Sequence, residues 1–138
     1  MNPAQVIQYA LVAAGVGHLP AIGVTWPVYN SQLNDKPDGA LCVYNTSGIL
    51  DGRLMAGTVI EHQGIQIRVR AAIDADALVK IKAVAAALDS FKNTEVVIGA
   101  STYTIQNASR KSPIIGLGVE DGTKRVSYTI NYTLTLRG

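Results

Sequence analysis

The chain has 138 residues, of which 48% are hydrophobic and only 16% are charged, with a net charge of +2. That length fits a single domain, residues 1–138, and is sufficient to bury a core without disulfides or metals. Acidic and basic residues are spread evenly, which argues against a sequence-specific nucleic-acid-binding protein. Because a usual charged share is about 25%, the low value predicts a subunit that buries part of its surface against other copies.

The cysteine content and the N-terminus indicate a protein that folds in a reducing cytoplasm. Cys42 is the only cysteine, lies in the apolar run 40–44, and is expected to be a core residue. The N-terminal residues lack the basic region and long apolar stretch of a secretory signal. No segment approaches the roughly 18 apolar residues of a membrane span, so no membrane partner is expected.

The first part of the chain predicts one helix and two short strands. Apolar residues at helical spacing predict a helix over 2–15, with Asn2 as its N-cap and Pro3 in its first turn. Segment 26–29 is expected to be an edge strand, because its proline cannot donate to a sheet. After a turn-forming segment, 40–46 reads as a buried strand.

A loop over 47–57 is predicted from three glycines, and it contains a possible contact surface. Arg53 is followed by Leu54 and Met55. An exposed apolar pair beside an arginine suits a protein contact, but the pair could equally pack into the core.

The next segment predicts a β-hairpin, with strands 58–61 and 65–71 joined at 62–64. Alternation along the second strand places its apolar residues on one face and Arg68 and Arg70 on the other. These two arginines either lie in solvent or face a partner or a central channel.

The remainder predicts one more helix and a run of strands. Asp74 is expected to cap a helix over 75–91, and strands follow over short segments that end with 126–136. The final strand alternates strictly, so it should lie in the middle of a sheet. These elements predict an α+β fold: a single antiparallel or mixed β-sheet with two helices packed mainly on one face.

No catalytic, cofactor-binding or metal-binding site is predicted. His18 and His62 are far apart in predicted loops, without ligand spacing to other residues. Asp74 and Asp76 are explained by their position at a helix start. The Gly-x-Gly sequences do not lie between a predicted strand and a predicted helix, which is the context that a phosphate-binding loop requires. The protein is therefore not expected to be an enzyme.

Two segments resemble a known family of structural proteins. Gly64–Ala71, followed at once by the predicted helix, and Arg125–Tyr132 resemble parts of the tail terminator proteins of long-tailed bacteriophages, also called minor capsid or tail completion proteins. The resemblance implies a hexameric ring that caps the tail tube, without catalysis. It implies three partners, namely further copies of the chain, the tail tube protein and the head connector or head-closure protein. It places the protein in the virion tail, assembled in the host cytoplasm.

On this interpretation, the candidate assembly interface consists of the exposed basic and apolar residues Arg53, Leu54, Met55, Arg68, Arg70, Arg110 and Lys111. Two other interpretations stay open. The chain could be a head-closure or tail tube type of phage structural protein, or a small α+β ligand-binding or enzymatic domain, since one fold hosts many activities.

Overall fold

A computed structural model of the chain describes residues 2–34, 37–53, 59–120, 122 and 124–137. At 49–53 and 59–61 only the backbone is described. The elements, in chain order, are α1 (Pro3–Ala13), β1 (Val28–Asn30), β2 (Ala40–Arg53), β3 (Val59–Ala71), α2 (Asp74–Ser90), β4 (Lys92–Ile98), β5 (Ser101–Arg110), β6 (Ile115–Val119) and β7 (Val126–Arg137). In the described part of the chain, no helix is long and apolar enough to cross a membrane.

The seven strands form one mixed sheet in the order β1-β2-β3-β7-β5-β4, with β6 paired to β7 beside the end of β5. Strand β1 runs parallel to β2, and the other pairs are antiparallel. The final strand therefore lies between β3 and β5, as its alternation predicts.

Both helices pack on one face of this sheet and enclose the core. Helix α1 contacts β1, β2 and β4, and α2 contacts β3, β5 and β7. Because α1 reaches both ends of the strand order, the sheet curls around it. The largest fully buried side chains come from both layers and include Ile7, Leu11, Leu41, Ile65, Ile67, Ile81, Leu88, Ile130, Tyr132 and Leu134. The predicted α+β fold is confirmed.

The helix caps agree with the sequence at α1 and differ at α2. The Asn2 side chain accepts a hydrogen bond from the Ala4 amide at 3.1 Å, as an N-cap should. At α2 the predicted cap is wrong, because Ile73 holds the N-cap position without a side-chain bond and Asp74 is the first helical residue. The Asp74 carboxylate instead accepts the Tyr128 hydroxyl at 2.5 Å.

The largest difference from the sequence prediction lies between residues 47 and 71. The predicted loop is strand up to Arg53, and the predicted hairpin across 62–64 is one continuous strand, β3. The pairing continues through a bulge because two glycines face the opposite backbone there. A Cβ at Gly64 would collide with the Ser47 carbonyl, and one at Gly48 would collide with the His62 carbonyl.

Beyond this bulge, β2 and β3 leave the sheet as a two-stranded ribbon. Residues 49–53 pair with 59–62, whereas the pairing of β3 with β7 ends at Gln63. In the described residues, these two segments therefore have only each other as strand partners. We call this ribbon, 49–53 with 59–62, the arm.

Candidate assembly interface

Arg70 lies on the sheet face opposite the helices, which we call the second face, but it is not exposed. Its residue is 3% exposed. Its Nε donates to the Asp38 carbonyl at 3.1 Å, and its Nη2 donates to the carbonyls of Asn34 and Pro37, both at 2.7 Å. The prediction that Arg70 faces solvent, a partner or a channel is wrong. Asn34, Pro37 and Asp38 lie against the second face, and Arg70 holds them there.

Arg68 is placed differently on the same face. It is half-buried, and its Nη2 donates to the Ser127 hydroxyl at 3.2 Å. Its Nε is buried and has no hydrogen-bond partner among the described residues. A guanidinium with unused donors and partial exposure can still donate hydrogen bonds to a carboxylate or carbonyl of another molecule.

A third arginine, Arg125, completes the polar cluster on the second face, and no local pattern in the sequence singled it out as an interface residue. It is 4% exposed, and its guanidinium lies 2.6 Å from Glu120 and 3.6 Å from Asp38. Ser127 and Thr129 on β7 are also buried. The polar side of β7 is therefore covered at Ser127 and Thr129, and it is partly exposed farther along the strand, at Asn131, Thr133 and Thr135.

Arg110 and Lys111 lie at the end of β5, beside α2. Arg110 Nη2 pairs with the Asp89 carboxylate on α2 at 2.5 Å, while the Lys111 side chain is exposed. The Lys111 amide donates to the Asn131 carbonyl at 2.8 Å, which fixes the backbone of this corner.

The other predicted interface residues are Arg53, Leu54 and Met55. Arg53 is the last residue of β2 and pairs with Val59, and its side chain is not described. Leu54 and Met55 lie outside the described residues. Of the predicted residues whose side chains the structure describes, Arg68 and Arg70 lie on the second face, and Arg110 and Lys111 lie at the β5 corner.

An apolar edge that the sequence analysis did not single out lies next to this corner. All five residues of β6 are exposed, and Ile115, Leu117 and Val119 are exposed by 39%, 51% and 64%. The pairing of β6 with β7 contains a register shift between Gly116 and Gly118. An exposed apolar edge strand without charged residues is prone to pair with another chain. We call these three side chains the β6 edge.

A shallow groove forms a further surface feature at the opposite end of β3 from the arm. Its volume is about 300 Å³, and its lining comes from 24–26, 37–39 and 71–73, together with Asp76. Composition alone could not reveal it, because the three segments are far apart in the sequence. We call it the Trp26 groove.

Three titratable groups in the described part of the chain have structural surroundings. Cys42 is fully buried, and burial raises the pKa of its thiol. His62 lies within β3 instead of the predicted turn, with Nδ1 2.9 Å from the Thr135 hydroxyl. Burial raises the pKa of Tyr132 to about 12. No group of three His, Cys, Asp or Glu side chains is placed to hold a metal within the described residues.

Comparison with known proteins gives one family and one informative structure. The family model described as bacteriophage tail terminator protein matches residues 10–137. A chain from the virion of a native gene transfer agent particle has a TM-score of 0.60 at 13% identity, covering 99% of this chain and 95% of that one. A second solved chain has a TM-score of 0.45 at 18% identity over 98% and 93%, and supports no argument. No curated protein matches this sequence.

Proposed function

The chain belongs to the bacteriophage tail terminator family, and from this premise we propose that it forms a ring that caps the tail tube and joins it to the head connector. The family match, which spans residues 10–137, carries the proposal. The chain is a structural component of phage-type virions, and the fold that it shares with a gene transfer agent virion chain agrees with this. A cap of this kind acts by binding other virion proteins in a fixed geometry, and we propose no catalysis.

The partners follow from this role. A ring needs contacts between copies of the chain, a lower surface for the tail tube protein and an upper surface for the head connector or head-closure protein. Rings close only when each subunit uses two different surfaces in head-to-tail contacts. Assembly would take place in the host cytoplasm, before the tail joins the head.

Two features of the structure support assembly. The arm extends beyond the sheet with no other strand beside it in the described residues, and a two-stranded ribbon is only marginally stable by itself in water. The β6 edge exposes three large apolar side chains that a solitary subunit would leave in water. Contacts with neighbours in a particle would cover both features.

The proposal is tested by growing tail tubes from purified tube protein in the presence of the chain. A terminator should arrest elongation, so mean tube length should fall as its concentration rises. An unrelated protein of equal mass should leave tube length unchanged. Unaltered tube length at saturating chain would contradict the role. Polymerisation of the chain itself would indicate a tube protein instead.

The contribution of the β6 edge is tested by Leu117→Gln. Leu117 is 51% exposed, so the unfolding midpoint should stay close to that of the parent. Arrest of tube growth should need a higher concentration of the variant, because an apolar contact is lost. Arrest at the parent concentration would show that the β6 edge is not used.

A further inference from the structure

We propose that Arg68 on the second face binds the Glu95 carboxylate of a neighbouring copy of the chain. This inference rests on the ring function proposed above and adds which surfaces of two copies meet. It joins two oppositely charged side chains, neither of which has an ion-pair partner among the residues that the structure describes.

The Arg68 guanidinium has donors that its own chain leaves unused. Its Nη2 donates to the Ser127 hydroxyl at 3.2 Å, whereas its Nε is buried and has no partner among the described residues. The backbone of Arg68 lies in a central strand and the residue is half-buried, so its exposed part is the far end of the side chain. A carboxylate that arrives from outside can reach this end and accept parallel hydrogen bonds from the guanidinium.

The surface around Arg68 is partly open and combines an aromatic ring with amide groups. Tyr44 on β2 pairs with Gln66 on β3, next to Arg68, and Gln66 pairs in turn with Asn131 on β7. All three neighbours are half-buried, so the chain does not fully cover this part of the second face. Arginine and tyrosine are frequent anchors of protein interfaces. We call Tyr44, Gln66, Arg68 and Asn131 the Arg68 patch.

Glu95 offers the complementary charge at one end of the sheet. It lies on β4, the last strand in the sheet order, and is exposed together with Val97, which is 62% exposed. The two residues are two positions apart, so they share one face of the strand. Val97 therefore adds apolar surface beside the carboxylate, which suits the Tyr44 ring of the Arg68 patch. Asp76 also lacks an ion pair in the described chain, but it lies in the first turn of α2, where its charge stabilises the helix.

The Glu95 carboxylate must come from another copy because the two residues are far apart within one sheet. Arg68 pairs with Thr129 on β7, whereas Glu95 pairs with Thr104, which pairs with Arg137 at the other end of β7. Thr129 and Arg137 are about 26 Å apart at the usual rise per residue. A contact between the Arg68 patch of one copy and β4 of the next uses two different surfaces, which is the head-to-tail arrangement that a ring needs.

Charge reversal tests the contact in the tube-growth assay. Arg68→Glu and Glu95→Arg should each raise the concentration of chain that arrests growth by at least about tenfold, because each variant brings like charges together. The double variant restores the pair with its signs exchanged, so it should act within about threefold of the parent concentration. Losses that add in the double variant would overturn the proposal.

A mixture of the two single variants tests whether the contact joins different copies. In a ring where the variants alternate, every contact is either the native pair or the pair with its signs exchanged. An equal mixture should therefore arrest growth at a concentration well below that of either variant alone. A mixture no better than its components would overturn a contact between copies and would indicate that Arg68 meets a different protein.

Two variants on α2 control for net charge, and two milder variants control for folding. Asp76→Lys and Lys82→Glu change exposed side chains of the helix layer, so the arrest concentration should stay within about twofold of the parent. Should Arg68→Glu lose its cooperative melting transition, Arg68→Met and Glu95→Gln replace the reversals. Their combined loss should then be no larger than either loss alone, because each removes the same pair. Additive losses would again overturn the contact.

The two proposals fail separately, because sedimentation of the chain alone at high concentration measures self-association without tubes. Arrest by the parent without rescue in the double variant or the mixture would remove the contact and leave the terminator role standing. Rescue of self-association in a protein that never arrests tube growth would keep the contact and remove the terminator role. A parent that neither arrests growth nor associates would remove both.

Discussion

Arg68 and Arg70 leave the same face of the same strand two residues apart, yet they have different surroundings. Arg70 donates to three backbone carbonyls and is 3% exposed. Arg68 is half-buried and keeps an Nε without a partner in the described residues. The difference arises because Asn34, Pro37 and Asp38 cover the second face at Arg70, whereas the face is partly open at Arg68. Alternation in a strand therefore identifies a polar face, but not whether that face is covered.

The largest effect is expected from Ile130→Asp, which probes the helix-covered face. Ile130 is fully buried in the central strand, and the described core residues around it offer no cation to a carboxylate. We expect no native fold, scored as loss of the cooperative thermal transition in circular dichroism. Ile130→Val should cost only about 1 kcal/mol. A cooperative transition near the parent midpoint in the aspartate variant would contradict this packing.

Arg70→Met should be the next most destabilising change, at about 3 kcal/mol, because three carbonyls lose a charged donor. Urea unfolding measures it. Arg70→Lys should be intermediate, since one ammonium cannot reproduce the fork of the guanidinium. A cost below about 1 kcal/mol would mean that Arg70 does not hold Asn34, Pro37 and Asp38 against the sheet.

Alkaline pH should destabilise the fold through Tyr132. Its folded pKa is about 12, above the ordinary value of 10, so the folded state retains the proton that the unfolded state loses. Its contribution to stability is complete below pH 10 and is lost as the pH rises toward 12, by about 2–3 kcal/mol in all. Chemical unfolding at pH 9 and 11.5 measures this loss. Tyr132→Phe should show a shallower decline, and an equal slope would exclude Tyr132 as the cause.

The smallest effect is expected from Arg68→Met, at about 1 kcal/mol or less, because this guanidinium makes one hydrogen bond to a side chain. Calorimetric melting compares it with Arg70→Met. If both arginines cost the same, the contrast between them is wrong. Impaired tube capping in Arg68→Met, despite normal melting, would identify Arg68 as a contact for another subunit, as the sequence predicts.

Residue patterns predicted the layout of the fold well wherever one face is buried. The apolar stripe of α1, its Asn2 cap and the alternation of β7 are local signals in the sequence. The alternation of β7 also predicted its central position in the sheet. The family resemblance drawn from two segments is also confirmed. These predictions succeed because periodicity reports directly on which side chains leave water.

The errors lie where long-range contacts override local signals. Glycines at 48 and 64 predicted a loop and a turn, but they allow two strands to approach closely through a bulge. Alternation placed Arg70 on a face open to solvent or to a partner, but the carbonyls of Asn34, Pro37 and Asp38 cover its guanidinium. The Trp26 groove gathers residues from three separate segments. No local sequence pattern encodes contacts between distant segments, so these contacts are seen only in the folded structure.

The most direct test of the terminator role is electron microscopy of tail tubes mixed with a saturating excess of the chain. The account predicts extra density at one end of nearly every tube, with rotational symmetry that matches the tube and a closed ring in averaged end views. Uniformly bare tube ends, with the chain folded and in excess, would contradict it.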